Sequence, residues 1–358
     1  MKDINDILNH VNNILADTAK TRSGKKPERY KIKKIPVDNT QKLKQLLQAE
    51  YSTAYKKYLD GKAIFRGVYP NDAEWIGKYS VLKPGIRIAY FTKNNLYTRL
   101  FSGILPSWKN YPPRNNCFIG SSSTGKALVY ARWAMRVEEW EDNLYVLLPK
   151  NGANICICPT SNILFAFPKI LKMREKSVKF KHLNDFQDGF MDFIGFITLI
   201  IYELKIREAG KNISKDARDK YFGLLRIRRL LKESLDSGGT AGIISILNIL
   251  SKYLSEYIDD LINIIEEADP VLKSRGFKAK DRYNALLFLK ELKKYNTTNL
   301  LEYLDIILNT KENGFKNVTI EDYNIKALIT KKVGESGQEV WTDSECLFVN
   351  KPFLESLK

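Results

Sequence analysis

The feature that most limits how this chain can fold is a change of texture that happens twice. From about residue 62 the text consists of short apolar runs broken by Pro and Gly. AIFRGVY, GIRIAYF (85–91), NCFIGSS (116–122), NLYVLLP (143–149), NICICP (154–159) and NILFAF (162–167) read as strands, with YPND, LKPG, LPSWKNYPPRN and PKNGAN as the turns. Between about 184 and 310 the apolar positions recur at helical spacing instead, as in DGFMDFIGFITLIIYELKIREAG and GGTAGIISILNILSKYLSEYIDDLINIIEEADP. The tail then returns to strands, NVTIEDYNIKALITKKV and EVWTDSECLFV. Strands on both sides of a helical block predict an α+β fold with a mixed, largely antiparallel β core. That core covers 61–167 plus 311–358, and a helical bundle, 168–310, is inserted into it. The segment 168–183 reads as a basic connector. Residues 1–60 are expected to hold a helix at 3–19, a basic arm rich in breakers at 21–36, and a second helix starting at Asn39 or Thr40.

Charge and cysteine usage narrow the function classes. The 358 residues carry 58 Lys and Arg against 41 Asp and Glu, a formal net charge of +17. Such a surface favours anionic partners, and nucleic acid could meet it at 21–36, 168–183 or RIRRLLK (226–232); a merely Lys-rich solvated surface accounts for the same number. Four cysteines and two histidines offer no zinc-finger spacing, so no metal is expected. A chain of this length has no need of a disulfide framework, which points to a reducing, cytoplasmic compartment, whether the protein is made there or delivered into a host cell. The start, MKDINDILNHVNN, is too polar for a signal peptide. The most apolar run, FIGFITLIIYEL (193–204), falls well short of the roughly 20 residues a membrane span needs, and is expected to be a core helix.

The stretch GSSSTGKA, Gly120 to Ala127, is one residue short of a P-loop. It has the lysine, Lys126, but Ala127 stands where a magnesium-binding hydroxyl belongs, and the surrounding strands do not alternate with helices as P-loop proteins require. Three distant pieces fit another chemistry better. IFRGVY sets Arg66 in a strand between apolar neighbours. CFIGSSSTGKALVYA runs a strand into three serines and a helix, and GQEVWTDSECLFV opens a strand with Glu339. In this order the set resembles the Arg–Ser–Glu class of mono-ADP-ribosyltransferases, the toxin-like and phage-type enzymes in which an aromatic-x-Ser-Thr-Ser strand leads into a helix and the catalytic Glu precedes a late strand. The resemblance covers roughly 62–165 and 316–350.

That resemblance implies an ADP-ribosyltransferase-like core, NAD as the nucleotide, and transfer of ADP-ribose to a protein or nucleic-acid acceptor, or to water. Cleaving the nicotinamide–ribose bond generates an oxocarbenium-like sugar, and a carboxylate beside it stabilises the developing charge. Glu339 would take that role, with Arg66 and Ser121 as its catalytic companions. Arg66 would grip the pyrophosphate through its fork of donors. Phe118, Ser121, Ser122, Ser123 and Lys126 complete the implied NAD contacts, the key serine being open among 121–123. Strict alignment on Phe118 puts Gly120, Ser121 and Ser122 at the Ser-Thr-Ser positions, and a one-residue bulge would shift the match to Ser121–Ser123. Gly337 stands where the family often has Glu or Gln for the acceptor; Gln338 and Glu335 are the nearby substitutes. The competing expectations are a basic nucleic-acid-binding protein without catalysis, a structural protein on a degenerate transferase fold, and a P-loop phosphotransferase.

Overall fold

The structure, a computed structural model, describes residues 33–35, 39–85, 96–131, 141–173, 182–208, 240–267, 279–330 and 337–357. The helix expected at 3–19, most of the arm 21–36, residues 86–91 of GIRIAYF, the RIRRLLK stretch and Glu335 lie outside them.

The frame is a nine-stranded sheet. In chain order its strands are β1 (Lys33–Ile35), β2 (Phe65–Gly67), β3 (Tyr79–Lys83), β4 (Phe118–Ser121), β5 (Leu144–Pro149), β6 (Asn154–Ile157), β7 (Lys316–Thr319), β8 (Glu339–Thr342) and β9 (Cys346–Asn350). Across the sheet the order is β1-β3-β9-β5-β2-β4-β8-β6-β7, and every neighbouring pair is antiparallel. The tail supplies interior strands. β9 lies between β3 and β5, and β8 lies between β4 and β6. The sheet is therefore incomplete until the last residues have folded.

The helices used below are α1 (Thr40–Gln48), α2 (Ser52–Leu59), α3 (Pro70–Ile76), α4 (Thr124–Ala131), α5 (Pro168–Met173), α6 (Leu183–Glu208), α7 (Thr240–Glu267), α8 (Ala279–Lys294), α9 (Leu300–Ile307) and α10 (Lys351–Glu355). Asn39 caps α1, its side chain accepting from Lys42 N at 2.8 Å. Two apolar cores result. One gathers Leu43, Leu47 and Tyr51 of the α1–α2 region with Phe65, Val146, Leu347 and Val349 of the sheet and Leu354 of α10. The other joins Ile119, Cys156 and Trp341 of the sheet to Phe190 and Phe193 of α6, Leu254 of α7, Phe288 of α8 and Leu304 of α9. The apolar residues of β5 and β9 lie in the first core from both faces, and these strands read as unbroken apolar runs.

The inserted helices are thus bonded into the core. Trp108 Nε1 donates to Leu308 O at 2.9 Å, just past α9, and Ser107 Oγ donates to Asp305 Oδ1 at 2.6 Å. FIGFITLIIYEL lies in α6 with Phe193, Ile194, Phe196, Ile197 and Ile200 buried, and no described helix is long and apolar enough to cross a membrane.

Three expectations about local structure change. Lys33–Ile35, expected in the basic linker or extended arm, pairs with β3 as an edge strand. NILFAF is a helical turn over Ile163–Phe165, because the Asn162 side chain accepts from Leu164 N at 3.0 Å and diverts the backbone from a ladder. The basic connector begins with a helix, α5, whose Ile170 and Met173 are buried; residues 174–181 lie outside the described residues.

Candidate active site

β4 runs between β2 and β8, so the three sequence pieces come together on three adjacent strands. Phe65 of β2 pairs with Ser121, and Ser121 pairs on its other side with Glu339. The β4–β8 ladder is continuous from Phe118↔Thr342 to Ser121↔Glu339, so no bulge shifts the serines within it. Gly120 makes the approach of β2 possible. A Cβ there would stand 2.7 Å from Ile64 Cγ2 and 2.8 Å from Phe65 O, which no real side chain tolerates.

The pleat sends Glu339 and Trp341 to one face and Val340 and Thr342 to the other. Trp341 belongs to the helix-covered core and Val340 to the opposite one, which sets Glu339 on the helix-covered side. Its backbone is bonded at both ends. Glu339 N donates to Thr160 O, and Cys158 N donates to Glu339 O, each at 2.9 Å. The side chain is only 2% exposed, and Arg114 Nη2 lies 2.8 Å from its Oε1. The Arg114 guanidinium also sits over the Trp341 ring, 5.0 Å from its centroid. Breaking such a buried pair by deleting one partner costs about 3–5 kcal/mol, since the other charge is stranded.

The three serines have three different tasks. Ser121 Oγ accepts from Ser123 N at 3.1 Å, and its residue stands opposite Glu339. Ser122 latches the approach to β8: Ser122 N donates to Gln338 O at 3.0 Å, and Ser122 Oγ accepts from Gln338 N at 2.8 Å. Ser123 caps α4 by accepting from Lys126 N at 3.3 Å. Thr124 N donates to Leu328 O at 3.0 Å. The N–H groups of Ser122, Ser123, Thr124 and Lys126, which would cradle a phosphate in a P-loop, are therefore bonded within the protein, and the strand before them is antiparallel to both neighbours.

Arg66 Nη1 donates to Ile119 O at 2.6 Å, which commits one of its five donors and holds the guanidinium across β4. Asp72 of α3 lies close enough for the Arg66 charge to act on it. Burial pushes the Asp72 carboxyl up, and that charge opposes the shift. Phe118 packs edge-on against Phe348 at 5.0 Å and is buried in the core opposite the helical one. By the same alternation it points away from Ser121 and Glu339.

Gly337 has a steric reason to be glycine. A Cβ would meet Ser123 Cβ and Ser123 N at 2.6 Å and Ser122 Oγ at 2.7 Å. The serine turn fills the space in which a second acidic side chain would stand. Cys156 and Cys158 lie on the Glu339 side, in the helix-covered core. Burial, with the Glu339 charge second, pushes the Cys158 thiol up to about 12, and burial also holds Cys156 well above its ordinary value. All four cysteines are buried and none is in a disulfide.

Sequence reasoning missed Arg114 and Asp72. Arg114 belongs to LPSWKNYPPRN, where Pro and Asn signal a turn and say nothing about which strand the turn faces. The available hint was an arginine, a bidentate donor, just before the serine strand in a chain that otherwise favours lysine. Among the described residues no group of three or more His, Cys, Asp or Glu side chains could hold a metal ion. Compared with family models, curated proteins and solved structures, the chain matches none.

Proposed function

We propose that this protein cleaves the nicotinamide–ribose bond of NAD and transfers the ADP-ribose to a macromolecular acceptor or to water. The observation that carries the reading is the convergence of Arg66, Ser121 and Glu339 from positions far apart in sequence onto three neighbouring strands, with Ser121 and Glu339 directly opposed. A carboxylate held rigidly in a poorly solvated site stabilises a sugar cation far better than one in water, because no reorganisation is needed as charge develops. The Arg66 guanidinium suits an anionic dinucleotide. Glu339 would face the ribose, Arg66 the pyrophosphate, and Ser121 would hold the geometry between them.

The test is incubation with labelled NAD, alone and with cell lysate, following both nicotinamide release and the label on macromolecules. Glu339→Gln is expected to lower nicotinamide release about 100-fold or more. Gln has nearly the shape of Glu, and circular dichroism with a denaturation curve separates a chemical loss from the cost of stranding the Arg114 charge. Release at the wild-type rate would remove Glu339 from the chemistry. A second reading, a transferase fold kept for a non-catalytic role, is favoured by the burial of Glu339 under Arg114. It predicts NAD binding without release.

A further inference from the structure

We propose that Arg114 is a positioning residue for Glu339, holding the carboxylate aimed in the site; this rests on the transferase reading above. The pair is well shielded, with 12% of the Arg114 side chain and 2% of the Glu339 side chain exposed. A guanidinium against so shielded a carboxylate fixes the direction in which it points. Two thiols on the same side of the sheet, Cys156 and Cys158, are pushed up by burial.

The position of Arg114 is set by contacts that do not involve Glu339. Arg114 opens a short helical turn, Arg114–Asn116, directly before β4. Trp341 Nε1 donates to Pro112 O at 3.2 Å, Cys117 Sγ donates to Pro113 O at 3.1 Å, and Asn115 N donates to Ser102 Oγ at 3.3 Å. The indole that supports the guanidinium face therefore also ties down the turn that carries it. Trp341 is two residues after Glu339 on β8, so carboxylate, indole and guanidinium form one preorganised unit. The guanidinium is in place before any substrate arrives.

Arg114→Ala and Arg114→Lys test this. An orienting partner of a site group is typically worth about 10–100-fold in activity. Arg114→Ala is expected to lower kcat for NAD cleavage by about tenfold or more with KM little changed. Arg114→Lys is expected to recover part of kcat, and guanidinium ion to recover part of the Arg114→Ala activity but none of the Glu339→Gln activity. An isotope-edited infrared spectrum of the Glu339 carboxylate stretch, identified by difference from Glu339→Gln, needs no turnover. It should show the stretch shifted and broadened in Arg114→Ala and less so in Arg114→Lys. An unchanged spectrum in both variants, or a raised KM at unchanged kcat, overturns the proposal. If the carboxylate shifts while the wild type releases no nicotinamide, the transferase reading is lost and the hold of Arg114 on Glu339 stands.

Discussion

At the residue scale, small steric and electrostatic facts decide what the site can do. Gly337→Ala puts a methyl group into contacts of 2.6 Å with Ser123. Overpacking of this kind costs about 1–3 kcal/mol. The clash falls on the turn that fixes Ser121, so denaturation should show reduced stability and NAD cleavage should fall with it; a fully stable, fully active Gly337→Ala would mean that the serine turn yields. On the transferase reading, glycine at 337 offers no second carboxylate at that position to select an acceptor. The thiols set a pH dependence. Cys158 is raised from an ordinary 9.0 to about 12 in the folded state, so folded protein keeps a proton that unfolded chain loses. The stability this contributes is fully present below that ordinary value of 9.0. It is lost as pH rises from there towards 12. Cys158→Ser should flatten that alkaline loss in denaturant titrations, and iodoacetamide at neutral pH should leave the native thiols unmodified but label all four after unfolding.

At the element scale, the β4–α4 unit carries two functions that adjacent serines divide. Ser123 is a helix cap, and Ser123→Ala is expected to cost about 1 kcal/mol of stability. Ser121 lies opposite Glu339, so Ser121→Ala should depress nicotinamide release more than Ser123→Ala, although both remove one hydroxyl from the same turn. Equal effects on release would mean that the turn as a whole matters and the Glu339 register does not. Lys126 sits at the start of α4, with its N–H bonded to Ser123 Oγ at 3.3 Å. The wild type is expected to show no ATP hydrolysis, and Lys126→Ala to have only a modest effect on NAD cleavage. ATP hydrolysis that Lys126→Ala stops would return GSSSTGKA to the phosphate-cradle reading.

At the scale of the whole molecule, the helical block and the sheet share one apolar core. Trp108 and Trp341 sit at the joint, with ring centroids 6.4 Å apart, and Trp108 is bonded to the chain just past α9. The two parts are therefore expected to unfold together. Trp fluorescence and far-ultraviolet circular dichroism should trace one coincident thermal transition. Two separated transitions would show the bundle to be an independent module. A sheet whose interior strands β8 and β9 come from the chain's end also depends on contacts very distant in sequence, which predicts slow folding.

Much of this was legible in the sequence, because local physics leaves local marks. Period-two and helical spacing announced β4, β5, β6, β8, β9 and the long helices, and an Asn at the right place announced the start of α1. Arg66, Ser121 and Glu339 could be singled out because their residue types suit one chemistry. What could not be read locally was decided by partners far away. Lys33–Ile35 is a strand only because β3 offers it an edge, and NILFAF is a turn because one Asn side chain competes for its backbone. The serine register follows from which residue of β8 lies opposite, and the requirement for glycine at 337 from a turn more than two hundred positions earlier. Arg114 is the clearest case. Its sequence context marks a turn and nothing more, and its meaning comes from the side chains that tertiary packing sets around it. The sequence by itself determined which segments can bury apolar surface and which groups can carry charge. The tertiary structure alone decided which charge meets which, because a cross-strand pairing and an ion pair depend on distance in space, for which separation along the chain carries no information.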